Sequence, residues 1–129
     1  MNYYSLKYIS EKTVTDLTAE LKSKFEASGY YIVNELNLAD KINEELKINF
    51  DDYQMLGVCN LKFAQEILSQ EKGAGLFLPC KVVIYKDNNA TKVEMQRPTF
   101  MSEFFYSKHI ESVTDKIEVM LDEIIREVV

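Results

Sequence analysis

The sequence is poor in the residues that mark the more specialised protein classes. Its 129 residues include two cysteines, one histidine, two prolines, four glycines and no tryptophan. So little glycine and proline excludes a disordered or low-complexity tract, and two cysteines do not make the disulfide framework of a small secreted domain. We therefore expect a single domain over residues 1–129, located in the cytoplasm with both cysteines as thiols.

Long apolar runs and clusters of basic residues are also missing. No stretch approaches the roughly 18 apolar residues of a membrane span, and the N-terminus lacks the basic start and apolar core of a signal peptide. The formal charge of −6 is spread along the chain, whereas binding to nucleic acid or anionic lipid needs clustered lysine and arginine. These absences argue against a membrane and against nucleic acid as partners.

The residues that are present follow the pattern of an α+β domain. Hydrophobic residues make up 47% of the chain, and runs with a period of two alternate with runs of helical period. Strands are predicted at residues 2–10, 30–36, 53–59, 81–85 and 92–96, the second antiparallel to the first or beside it. Helices are predicted from Thr13 to Gly29, through Leu38, Ile42 and Leu46, after Asn60, and from about Ser107 to the C-terminus.

Two segments of the chain carry a resemblance to a known family. Residues 56–64, LGVCNLKFA, and residues 75–85, GLFLPCKVVIY, resemble the signature stretches L-G-A-C-N-P-x-x-A and G-L-L-L-P-C-x-V-V-V-Y of the domain of unknown function family 302. Leu61 stands where that pattern usually has proline. The resemblance covers nearly the whole chain. It implies a TATA-binding-protein-like α+β fold, with a single antiparallel sheet of about five strands, helices packed on one face and a closing C-terminal helix, and it implies no assigned activity.

The two cysteines are the first candidates for chemistry. Cys59 is predicted at the end of a strand, just before the helix cap Asn60, where unpaired N–H groups and the helix dipole favour a thiolate. Cys80, at the entry to the next core strand, could resolve an oxidised Cys59. A thiol-dependent redox or sulfur-handling protein, with Asn60 orienting the turn, is one predicted function. The alternative is that both cysteines are small side chains that fill the core.

Other kinds of site have less support in the sequence. Two cysteines, a single histidine and no CxxC pair do not make a zinc site, and no phosphate-binding or dinucleotide-binding motif is present, so no metal and no cofactor is predicted. His109, at the start of the last predicted helix, is expected to be solvated. Tyrosines on the predicted strands either line a ligand-binding sheet face or pack in the core. These are Tyr3, Tyr4, Tyr8, Tyr30, Tyr31, Tyr53 and Tyr85.

The apolar run over residues 82–85, Val-Val-Ile-Tyr, gives the prediction about partners. It alternates little, so both faces of this strand need to be covered. If helices cover one face, the short second helix or another copy of the chain must cover the other. We therefore expect a homodimer or a higher homo-oligomer, and a non-catalytic module that binds a small apolar ligand or assembles with a partner chain. The thiol-dependent function stays open beside it.

Overall fold

One five-stranded antiparallel sheet organises the chain in the computed structural model, which describes residues 3–129. Its strands are β1 (Ser5–Ser10), β2 (Tyr31–Asn37), β3 (Tyr53–Cys59), β4 (Cys80–Asp87) and β5 (Ala90–Gln96). The helices are α1 (Val14–Ala27), α2 (Leu38–Leu46), α3 (Leu61–Gln70), α4 (Pro98–Ser102) and α5 (Lys108–Val128), and a 3₁₀ helix covers Lys72–Phe77. The predicted α+β fold is confirmed, although Asn2 of the first predicted strand lies outside the described residues.

Three helices begin at residues that the sequence indicated. The side-chain oxygens of Thr13, Asn60 and Ser107 each accept a hydrogen bond from the backbone N–H three residues further on, at 3.1 to 3.2 Å. Each bond satisfies one of the N–H groups that a helix start leaves unpaired. Gly29 follows the end of α1 at a φ of +87°, which glycine adopts without strain.

The order of the strands across the sheet differs from the prediction. It is β1-β5-β4-β3-β2, so β1 and β2 lie at opposite edges. All neighbouring strands are antiparallel, and β1 and β2 therefore run in the same direction. The prediction that the second strand lies beside the first or antiparallel to it is wrong. The physical reason is that α1 contacts β3 and β4 and carries the chain across the sheet, as a connection between parallel strands requires.

The hydrophobic core lies between one face of the sheet and the helices α1, α3 and α5. Alternate strand residues enter it, as the pleat of a strand dictates: these are Leu56, Val58, Val82, Ile84, Val93 and Met95. The large buried side chains of the helices include Leu17, Leu21, Phe25, Ile67, Leu121 and Ile125. The run at residues 82–85 therefore does alternate, because Val83 and Tyr85 lie half-buried on the other face. We call this second face, which α1, α3 and α5 leave uncovered, the open face.

The short helix α4 was not predicted, and it bridges the sheet to α5. Pro98 occupies its first turn. Proline lacks a backbone N–H, and an N–H at this position would have no hydrogen-bond partner within the helix. The Arg97 guanidinium donates to Glu118 Oε2 at 3.1 Å, and Thr99 Oγ1 donates to Glu118 Oε1 at 2.7 Å. These bonds hold α4, and with it Phe100, at the end of the sheet.

Over residues 3–129, no helix is long and apolar enough to cross a membrane.

Candidate functional site

A groove of about 580 Å³ lies on the open face of the sheet. Its lining residues are Tyr3, Tyr4, Ser5, Tyr53, Lys81, Val83, Glu94, Gln96 and Phe100. Strands β1, β3, β4 and β5 contribute to it, together with the segment before β1 and the helix α4. Its volume is that of a pocket for a small organic molecule, and it exceeds the hollow of about 500 Å³ between α1 and the end of α5.

Aromatic rings that line this groove are held in place by other rings. Tyr53 stacks on Tyr85 of the neighbouring strand, with ring centroids 5.3 Å apart and an interplanar angle of 13°. Tyr3 packs edge-on against Phe100 at 5.4 Å, and Phe100 packs edge-on against Phe104 at 5.3 Å. These are preferred geometries for aromatic pairs. Three aromatic residues of the lining, Tyr3, Tyr53 and Phe100, are therefore each packed against another ring, and Tyr3 keeps 64% of its surface exposed.

Glu94 is the acidic residue of the groove, and neighbouring donors engage both of its oxygens. Ser5 Oγ donates to Oε1 at 3.1 Å, and the Tyr85 hydroxyl donates to Oε2 at 2.6 Å. Lys7 Nζ lies 3.9 Å from Oε1. Burial and then the hydrogen bond to Glu94 raise the pKa of Tyr85, so its hydroxyl remains a donor near neutral pH. The Glu94 carboxylate is thus held by the protein itself.

The two cysteines lie close together along the chain pairing of β3 and β4, and strand alternation assigns them to opposite faces of the sheet. Cys80 pairs in register with Val58, the residue before Cys59, and successive strand residues point to opposite faces. Cys80 packs against the hydrophobic core, whereas alternation assigns Cys59 to the open face. Both are free thiols, and thiols whose Cβ atoms point apart cannot be bridged without backbone movement. Neither cysteine lines the groove.

Burial governs the acidity of both thiols. Burial raises the pKa of Cys59 above its ordinary value, the direction opposite to the one expected from a position just before a helix. Burial, with a smaller effect of the neighbouring Cys59, raises the pKa of Cys80 to about 12. Asn60 uses its side chain to cap α3. These pKa directions favour protonated thiols near neutral pH, and the thiol function stays a prediction.

Alkylation kinetics test that prediction. Because the pKa of Cys59 is raised, a smaller fraction of it is thiolate near neutral pH than in a free cysteine peptide. We expect iodoacetamide to modify Cys59 more slowly than such a peptide near neutral pH, with a rate that still climbs above the ordinary pKa, and to modify Cys80 more slowly still. Mass spectrometry over a pH series measures both rates. Cys59 modification that is fast and already pH-independent near neutral pH would support the thiol function instead.

The remaining predicted residues have separate surroundings. The seven predicted tyrosines divide into four groups. Tyr3, Tyr4 and Tyr53 line the groove, and Tyr85 stacks on Tyr53 beside it. Tyr30 is buried in the core and Tyr8 packs against the core, whereas Tyr31 is exposed. His109 is exposed in the first turn of α5. Over the described part of the chain, residues 3–129, no cluster of three or more His, Cys, Asp or Glu residues could hold a metal ion.

The two segments that carry the family resemblance meet in the sheet. They include the second half of β3 and most of β4, which pair directly. A Cβ atom built on Gly57 would lie 2.3 Å from Asn34 Oδ1 and 2.7 Å from Pro79 Cγ. Only a residue without a side chain allows Asn34 and Pro79 to approach this closely. Steric crowding therefore explains why position 57 is glycine.

Six residues of the groove were not predicted from the sequence as ligand-binding residues: Ser5, Lys81, Val83, Glu94, Gln96 and Phe100. Five of them occupy alternate strand positions that face away from the core. Alternation in β4 and β5 could have indicated which residues lie on the open face, because the polar Lys81, Glu94 and Gln96 alternate there with apolar residues. Phe100 gave no signal, since it follows Pro98 in a segment for which no structure was predicted.

Comparisons with known proteins agree with the resemblance. The family model described as domain of unknown function DUF302 matches residues 6–128. The crystal structure of an uncharacterized conserved DUF302 protein from Bacillus stearothermophilus is similar to this chain, with a TM-score of 0.91 and 22% sequence identity, covering 99% of this chain and 100% of that one. No curated protein matches the chain. At that identity the solved structure supports the fold alone.

Proposed function

The chain belongs to the family of the domain of unknown function DUF302, and we propose that it acts as a non-catalytic binding module whose open sheet face holds a small ligand. The observation that carries this proposal is the groove of about 580 Å³ with its aromatic lining. Sites for small molecules are concave and mostly apolar, with a few placed polar groups. The groove has this composition, and it contains neither cysteine.

The packing of the lining supports binding in a second way. Ordering a loose side chain costs free energy when a ligand binds. Tyr53 is already stacked on Tyr85, and Phe100 packs edge-on against Tyr3 and Phe104. A ligand with an apolar, planar body could therefore contact these rings without first ordering them.

Titration with a neutral planar probe, 2-naphthamide, tests the proposal. We expect saturable one-to-one binding to the wild-type protein, followed by calorimetry or by chemical shifts. The Cys59→Ala variant should bind equally well, because Cys59 does not line the groove. Absence of saturable binding would argue against a binding module of this kind, and loss of binding in Cys59→Ala would place the ligand at the cysteine instead of the groove.

We also propose that two copies of the chain associate through β2. This strand forms one edge of the sheet, and an edge strand has unpaired backbone groups that can join a second strand. Its exposed side chains include the apolar Tyr31, Val33 and Leu36. A bulge lies between Ile32 and Asn34 and Glu35 is exposed as well, but pairing with a second copy would remove the three apolar side chains from water. Because β2 contributes no residue to the groove, this association would leave the groove accessible.

Light scattering at high micromolar concentration tests the association. We expect the wild type to have twice the mass of one chain. Val33→Lys should shift the protein to the monomer, because it places a charge at the shared edge. Leu76→Lys, at a site 90% exposed in the 3₁₀ helix and not in β2, is the control and should remain dimeric. A monomeric wild type would contradict the proposal.

A further inference from the structure

We propose that the ligand of the groove carries one negative charge, as a carboxylate, on its planar apolar body, and that Lys81 binds that charge. This inference rests on the proposed function, because it specifies the ligand of the same groove. It follows from which charged groups of the groove already have partners and which do not.

The acidic residue of the groove is not available to a cationic ligand. Glu94 accepts hydrogen bonds from Ser5 and Tyr85, and Lys7 lies beside it. Its side chain is only 22% exposed. A ligand cation would have to compete with these donors for a carboxylate whose charge the protein already compensates.

The basic residue of the groove is in the opposite situation. Lys81 is exposed and lines the groove, and within residues 3–129 its ammonium group has neither a hydrogen bond nor an ion pair. Its cross-strand neighbour on β3 is Gly57, whose adjacent space is occupied by Asn34 and Pro79, neither of which carries a charge that could compensate Lys81. The uncompensated charge in the lining is therefore positive, and the lining is complementary to an anion.

A single lysine also limits the charge of the ligand. One ammonium group supplies one positive charge, which compensates one carboxylate and would leave the second charge of a phosphate dianion without a partner. Gln96 and Tyr53 line the groove as well, and their side chains carry a neutral amide and a neutral hydroxyl group. This set suits a small monocarboxylate whose body is one or two rings in size.

Three probes with the same ring system separate this inference from its alternatives. They are 2-naphthoic acid, 2-naphthamide and 2-naphthylmethylamine, which are anionic, neutral and cationic near neutral pH. We expect the wild type to bind the acid about fivefold more tightly than the amide, since a partly exposed ion pair contributes up to about 1 kcal/mol. The amine should bind most weakly of the three.

Variants of Lys81 assign the preference to this residue. Lys81→Met should bind the acid and the amide equally, with the affinity for the amide retained, and Lys81→Arg should keep the preference. Lys86→Met is the matched control, because Lys86 is also exposed on β4 but does not line the groove, and it should keep the preference too. Thermal unfolding of each variant verifies that the fold is intact.

The outcomes distinguish the inference from the binding function. Equal affinity of the wild type for acid and amide, tighter binding of the amine, or a preference that survives Lys81→Met would overturn the role of Lys81 while leaving a binding module. Failure of all three probes to bind would overturn the binding module itself.

Discussion

Replacing Gly57 by alanine is expected to lower the free energy of unfolding by about 1 to 3 kcal/mol, the usual cost of overpacking. The added Cβ would lie 2.3 Å from Asn34 Oδ1 and 2.7 Å from Pro79 Cγ. Pro79 belongs to the backbone turn that enters β4, so it cannot rotate away as a long side chain would. Urea unfolding at constant m-value measures the loss.

A double-mutant cycle attributes that loss to the contact. Combining Gly57→Ala with Asn34→Ala should recover part of the stability, because the nearest atom is removed while Pro79 remains. Gly75→Ala is the control, since its new Cβ would lie 3.7 Å from Leu68 Cδ2, an ordinary contact, and its effect should stay within about 0.5 kcal/mol. A Gly57→Ala protein as stable as the wild type would contradict the steric role of Gly57.

Replacing Val83 by tryptophan is expected to weaken 2-naphthamide binding by more than about tenfold, a loss of at least about 1.4 kcal/mol. Val83 lies half-buried in the floor of the groove, and an indole at that position would occupy the space of the ligand. The wild type contains no tryptophan, so fluorescence of the introduced indole also reports whether it is shielded from water.

The matched control for this variant is Ile9→Trp. Alternation places Ile9 on the same open face, and it is exposed on β1 outside the groove. It should keep wild-type affinity for 2-naphthamide, and both variants should retain cooperative thermal unfolding. Equal binding by Val83→Trp and the wild type would place the ligand elsewhere on the protein.

The local elements were predictable because local chemistry determines them. Thr13, Asn60 and Ser107 cap helices through bonds to residues only three positions away, and the period of the apolar residues separates helix from strand. The order of the strands was not predictable in the same way. Alternation tells which face of a strand is buried but not which strand lies beside it, and α1 carries β2 to the far edge of the sheet.

The groove was only partly predictable, because it forms from segments that are distant along the chain. The tyrosine pattern allowed a ligand-binding sheet face, and Tyr3, Tyr4 and Tyr53 do line it. Phe100 reaches it only because Arg97 and Thr99 bind Glu118 of α5, a contact that no local pattern indicates. For Cys59, the start of the following helix was predicted correctly. The helix start was expected to lower the pKa of this thiol, whereas burial raises it.

The most direct test of the binding module is to locate a neutral probe on the protein. In a nitrogen-15-labelled sample titrated with 2-naphthamide, we expect the largest amide shift changes at residues that line or adjoin the groove, such as Tyr53, Val83, Gln96 and Phe100. The amide shifts of residues that line the hollow between α1 and α5, such as Ala19 and Ser23, should not change. Shift changes concentrated in that hollow, or scattered over the surface without saturation, would contradict a ligand site on the open face.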